Sequence, residues 1–134
     1  MTNTKVLVVE DEVQYADVVA FKFRNAGFDV LIARDGQEGL DMALAEQPAL
    51  IISDYQMPVL DGMEFCRRLR ARPETAAIPF VLLTAHGLDI EDAAVGEAGV
   101  SAVVGKPFSP RELLARATGL LNRPRQTVAQ SEGT

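Results

Sequence analysis

Thiol and imidazole are scarce in this chain: its 134 residues hold one cysteine, Cys66, and one histidine, His86. A single thiol excludes an intrachain disulfide and makes a reducing setting, the cytoplasm, the expected one. Cys66 falls at a core position of a helical stripe, where a thiol is a buried structural group. No histidine or cysteine cluster is present to suggest zinc. Basic charge is also short. Thirteen Lys and Arg against 19 Asp and Glu leave a net charge of −6, which argues against direct nucleic-acid binding, because that rests on a basic stripe or patch. No apolar run approaches the roughly 20 residues of a membrane span. Met1-Thr2-Asn3-Thr4-Lys5 leads into a strand without the sections of a secretion signal, so no membrane role is expected. Apolar residues, by contrast, make up 48% of the chain, enough for the core of one domain. That domain is expected over residues 1–121. The stretch 122–134, with Pro124 and a polar run from Gln126 to Thr134, reads as a disordered tail.

The apolar residues fall into an alternating series. Val6 to Val9 form a short continuous run ending on acids, as a buried parallel strand does. Ala16, Val19, Ala20 and Phe23 recur at helical spacing until Asn25-Ala26-Gly27 stops them. Phe28 to Ala33 is a second strand, and its polar Asp29 and flanking Arg34 mark it as an edge. Leu40, Ala43 and Leu44 mark a helix closed by Pro48, and Ala49 to Ser53 give a third strand. Gly62, Phe65, Cys66 and Leu69 stripe the third helix, and Phe80 to Thr84 form the fourth strand. A helix over about 88–98, with Ile90, Ala93 and Ala94 inward, is the weakest element, since Gly96 inside it costs about 1 kcal/mol relative to alanine. Ser101 to Val104 is the fifth strand. Ser109-Pro110-Arg111-Glu112 then opens the last helix with serine as N-cap, proline first and glutamate at N3.

Five strands alternating with five helices predict a doubly wound parallel sheet in a three-layer α/β/α sandwich. Ligands of such sheets sit beyond the carboxyl ends of the strands, which is where Glu10, Asp11, Asp54, Thr84 and Lys106 fall. Three acids at close range repel one another unless a cation joins them, and magnesium suits carboxylates, waters and a phosphate oxygen. One carboxylate, Asp54, can then act as a nucleophile towards phosphorus. Lys106 supplies a point charge for the phosphoryl oxygens, and Thr84 can donate a hydrogen bond to one of them. Each of these residues alone has a plainer reading as a turn, cap or surface group. Their joint placement at the strand ends favours chemistry.

Val8-Val9-Glu10-Asp11, Asp54 with Met57-Pro58 and Asp61-Gly62, Leu83-Thr84-Ala85 and Lys106-Pro107-Phe108 together resemble the receiver domain of two-component response regulators, over residues 5–121. The resemblance implies a flavodoxin-like sheet of order 2-1-3-4-5. It implies a phosphoacceptor signalling domain rather than an enzyme, assisting its own phosphorylation and dephosphorylation, acting as a single-domain regulator or phosphorelay carrier. A histidine kinase or histidine phosphotransfer protein would deliver the phosphoryl group to Asp54, and Glu10, Asp11, Asp54 and the Gln56 backbone carbonyl would hold magnesium. A downstream protein target, and a phosphorylation-dependent homodimer, are further partners of this kind. The Lys106-Pro107 bond is often cis in the family.

Two positions depart from or vary within that pattern. Val103 stands where most receivers carry Tyr or Phe three residues before the lysine, so an aromatic flip is unavailable and the loosely packed fourth helix is expected to carry the change. His86, two residues after Thr84, is expected to tune dephosphorylation. Other classes fit less well. A haloacid-dehalogenase-type phosphatase would want a second aspartate where Gln56 stands. A flavodoxin-like nucleotide binder would want a Gly- or Ser/Thr-rich loop in place of Glu10-Asp11-Glu12. A degenerate receiver serving only as an interaction module would fail to be phosphorylated.

Overall fold

The computed structural model describes residues 4–85 and 92–122. Its strands are β1 (Lys5–Val9), β2 (Asp29–Ala33), β3 (Leu50–Asp54), β4 (Phe80–Ala85) and β5 (Ala102–Lys106), and its helices are α1 (Val13–Asn25), α2 (Gly36–Glu46), α3 (Gly62–Arg70), α4 (Asp92–Ala98) and α5 (Pro110–Asn122). All strand pairs are parallel and the order is β2-β1-β3-β4-β5, the expected flavodoxin-like arrangement. The polar β2 is indeed an edge, with β5 as the other.

Strand alternation divides the core in two. Val6, Val8, Leu50, Ile52, Val81, Leu83 and Val104 pack with Val19, Ala20 and Phe23 of α1 and Leu113 and Ala117 of α5. Leu7, Val9, Ile51, Phe80 and Leu82 pack on the other face with Leu40 and Ala43 of α2, Phe65, Cys66 and Leu69 of α3 and Ala98 of α4. The central strand β3 is buried along its whole length. Burial of each large aliphatic side chain there stabilises the fold by about 2 kcal/mol. Cys66 is the inert core thiol expected, fully buried, its pKa pushed by burial up to about 11.

Local chemistry sets the ends of the elements. Asp35 and Asp61 accept the amides of Glu38 and Glu64 and so cap α2 and α3. Ser109 Oγ accepts the Glu112 amide at 3.3 Å, the predicted cap of α5. The fifth strand runs two residues further than its apolar run suggests, because the ladder continues through Thr84 opposite Gly105 and Ala85 opposite Lys106. Lys106 therefore ends the strand rather than following it.

The fourth helix is described over Asp92–Ala98; residues 88–91 of the expected helix, Ile90 among them, lie outside the described residues. Within it Ala94 packs inward as expected, together with Val95 and Ala98. The carboxyl end of α4 is held firmly. Arg70 Nε and Nη2 donate to the Gly99 carbonyl at 3.1 and 2.8 Å, and Nη1 donates to the carbonyls of Thr75, Ala76 and Ile78. Gly99 sits at φ 87, and a Cβ there would meet the Arg70 side chain at 2.8 Å, so only glycine allows both the left-handed turn and the close approach.

Candidate functional site

The carboxyl ends of β1, β3 and β5 point three charged groups to one side of the sheet. Glu10, Asp54 and Lys106 continue the alternation of Val6 and Val8, of Leu50 and Ile52, and of Ala102 and Val104, all on the face covered by α1 and α5. Lys106 Nζ lies 3.0 Å from Asp54 Oδ1 and 3.3 Å from Glu10 Oε1. Glu10 and Asp54 are buried, at 1% and 7% exposure, while Asp11 is exposed. These three acids can each aim one oxygen so that all lie within 4.8 Å of one another. Such a set of hard oxygen donors fits magnesium and does not fit zinc. A cavity of about 390 Å³ opens above them, lined by Asp11, Glu12, Tyr15, Asp54, Gln56, Ala85, Lys106 and Pro107.

Burial governs the electrostatics. Removal from water, then the charge of Asp54, pushes the Glu10 carboxyl up to about 7, although the Glu12 amide and Lys106 pull the other way. Burial also raises Asp54, opposed by its hydrogen bond to Lys106. For Lys106 burial alone favours the neutral amine, but the bond to Asp54 and the two carboxylate charges outweigh it and raise the pKa. The ammonium thus stays charged, and the acid pair holds a proton readily unless further positive charge arrives.

The β3–α3 loop is shaped to leave Asp54 open. The Gly62 amide donates to Tyr55 O at 2.8 Å, and a Cβ on Gly62 would run into the Asp54 carbonyl. This explains glycine after Asp61: the start of α3 presses on the end of β3. Between them Leu60 N donates to Pro58 O at 2.7 Å across Val59, whose φ is 73. A β-branched residue in the left-handed region is strained, and Val59 stands 78% exposed beside the site.

Not every residue singled out in the sequence joins the cavity. Glu10, Asp11, Asp54 and Lys106 come together, Gln56 lines the same cavity, and Lys106-Pro107 is cis. Thr84 does not line it. Alternation from Phe80 and Leu82 assigns Thr84 to the α3 and α4 face, and its Oγ1 is the one buried side-chain polar atom without a hydrogen-bond partner among the described residues. Val103, half-buried and paired with Leu82, packs on that same face. His86 lies outside the described residues. Sequence reasoning missed Tyr15, whose ring centroid is 4.3 Å from Lys106 Nζ and which tilts against Phe108 at 5.9 Å. The signal was available in its place, on the first turn of the helix that follows the acids.

The family model of the response regulator receiver domain matches residues 6–118. Among solved structures, the chain is similar to one assigned as a response regulator in Chloroflexus aurantiacus J-10-fl, with a TM-score of 0.85 and 34% identity over 91% of this chain and 100% of that one. It is similar to the chemotaxis response regulator CheY4 of Vibrio cholerae, with a TM-score of 0.83 and 31% identity over 89% and 99% of the two chains. It is also similar to the receiver domain of sensor histidine kinase PA1611 from Pseudomonas aeruginosa PAO1, a structure with magnesium coordinated in its active-site cleft; the TM-score is 0.83, with 27% identity over 91% and 100% of the chains. A match over most of the chain, with two neighbours above 30% identity spanned almost end to end, means that this chain belongs to the receiver domains of two-component response regulators.

Proposed function

We propose that Asp54 accepts a phosphoryl group from a phosphohistidine, in a magnesium-dependent reaction, and that the phosphorylated chain changes its protein contacts. The observation that carries this reading is a buried aspartate at a strand end with a lysine ammonium on its oxygen and two further acids within reach. An Asp54 oxygen attacks phosphorus, the nitrogen–phosphorus bond of the donor breaks, and the imidazole leaves with the electron pair. Hydrolysis of the resulting acyl phosphate returns the carboxylate and inorganic phosphate. When bound, a magnesium ion held by Glu10, Asp11, Asp54 and the Gln56 backbone carbonyl supplies the positive charge that keeps the acids ionised and offsets the phosphoryl oxygens.

The remaining work falls to this chain's own side chains. Lys106, already 3.0 Å from Asp54, follows the new charge onto a phosphoryl oxygen as a point cation. Thr84 has a buried hydroxyl with no hydrogen-bond partner among the described residues, a state that costs about 1–3 kcal/mol; a phosphoryl oxygen would satisfy it. That gain favours movement of Thr84 towards the site and draws on the face where Val103 and α4 pack. The donor is a histidine kinase or a histidine phosphotransfer protein, and the exposed Val18 and Phe21 on α1, which line a groove with Ser109 and Pro110 at the start of α5, offer such a partner an apolar foothold. Incubation with acetyl phosphate tests the core of the reading. Phosphorylation is expected only with a divalent cation and to vanish in Asp54→Asn; equal labelling of that variant would refute it.

A further inference from the structure

We propose that Tyr15 is a positioning residue for phosphotransfer: the face of its ring holds the Lys106 ammonium in reach of Asp54 before and after the phosphoryl group arrives. The inference rests on the reading of Asp54 as phosphoacceptor.

A lysine ammonium has three N–H groups on a flexible stem of four carbons, so something must fix its direction. Two sides are taken, by Asp54 Oδ1 at 3.0 Å and Glu10 Oε1 at 3.3 Å. On a further side lies the Tyr15 ring, its centroid 4.3 Å from Nζ, within the range where the negative face of an aromatic ring attracts a cation. The ring is itself fixed. Tyr15 sits one residue before the buried Ala16 in the first turn of α1, and it rests against Phe108, which packs on the core layer between the sheet and α1 and α5. Tyr15 therefore joins the helix after the acids to the loop after the lysine. Core packing alone accounts poorly for it, because the ring is only half-buried and forms part of the cavity wall.

The consequence appears when Asp54 carries the phosphoryl group as an acyl phosphate. Its Oδ1 then loses most of its charge, and the ammonium is left between the Glu10 carboxylate and the new phosphoryl oxygens. A ring face attracts the cation without competing as a hydrogen-bond acceptor, so it limits the swing of the stem while leaving the N–H groups free for the phosphoryl oxygens. The hydroxyl of Tyr15 has no part in this.

The test compares wild type, Tyr15→Phe, Tyr15→Leu and Asp54→Asn with acetyl phosphate and magnesium, so that no protein partner is needed. Tyr15→Phe should match wild type, and Tyr15→Leu, similar in bulk but without a ring, should be phosphorylated about three- to tenfold more slowly, the range of a cation–ring contact. Equal rates for Tyr15→Leu and wild type would overturn the inference, as would a Tyr15→Phe variant as slow as Tyr15→Leu. A readout in the wild-type chain guards against misfolding of the variants. The Lys106 ε-methylene protons, identified by their loss in Lys106→Ala, should resonate upfield under the ring and stay there with beryllofluoride and magnesium. An ordinary chemical shift in either state would overturn the inference. If wild type takes no more phosphoryl group than Asp54→Asn, the reading of Asp54 fails and takes this inference with it.

Discussion

The two faces of the sheet carry different parts of the site. On the face under α1 and α5, the apolar residues of β1, β3 and β5 give way at their carboxyl ends to Glu10, Asp54 and Lys106, with Tyr15 closing over the lysine. On the face under α2, α3 and α4, the same alternation ends in Thr84, whose hydroxyl has no partner among the described residues, with Val103 and α4 nearby. Charge lies on one side and an unsatisfied neutral donor on the other. A strand is one residue thick, so the period-two alternation that builds the core also partitions the site. The acids and lysine of one side and the hydroxyl of the other meet only at the carboxyl edge of the sheet.

If this division holds, its largest test is Lys106→Ala. Removing the cation that pairs with Asp54 and Glu10 should abolish the response of the other face to beryllofluoride while leaving the magnesium-bound protein folded, because a strand-end lysine contributes little to packing. Amide hydrogen exchange over residues 92–99 measures it, and a response like wild type would mean that Lys106 is not the link.

A second test isolates the charged face by pH. In chelator, a Glu10 carboxyl raised to about 7 from an ordinary 4.5 holds its proton in the folded chain over a range where the unfolded chain releases it. The folded state binds more protons there, so stability should be greatest below about 4.5 from this group and fall as pH rises to about 7, by on the order of 3 kcal/mol. Glu10→Gln should flatten the slope, and magnesium should reduce it. Urea unfolding at a series of pH values reads this out, and a wild-type slope of the opposite sign that Glu10→Gln abolishes would show the carboxyl to be stabilised as an anion.

The smallest effect is expected on the other face. Val103→Tyr adds a ring beside Thr84 but nothing to the charged side, so the rate of Asp54 phosphorylation should hardly change, whereas exchange over residues 92–99 with beryllofluoride should. A large loss of phosphorylation rate would erase the distinction between the two faces.

Most of this architecture could be read from the chain. The apolar runs from Val6 to Val9, from Leu50 to Ile52 and from Phe80 to Leu83 are buried strands because both of their faces are covered, and acids at the ends of such runs stand out. What the runs do not mark is where pairing stops. Gly105 and Lys106 belong to β5 because the neighbouring strand continues beside them, a nonlocal cause invisible in the local pattern. Tyr15 carries no mark in the local pattern, because it falls outside the buried stripe of Ala16, Val19, Ala20 and Phe23. Counting alternation along three strands would have shown that the acids and the lysine share the α1 face, and so which helix must cover them.

The clamp of Arg70 on Gly99 gives the fourth helix the mechanics of a lever. Pinned at its carboxyl end by a guanidinium that spans five carbonyl contacts, the seven described residues of this helix form an arm of about 10 Å. A tilt of roughly 10° about that pivot carries the amino end by roughly 2 Å and leaves the pinned end almost still. The fulcrum lies at the opposite end of the helix from Asp92, so whatever displacement this helix undergoes is amplified towards the carboxyl edge of the sheet, beside the strand that ends in Thr84 and Ala85.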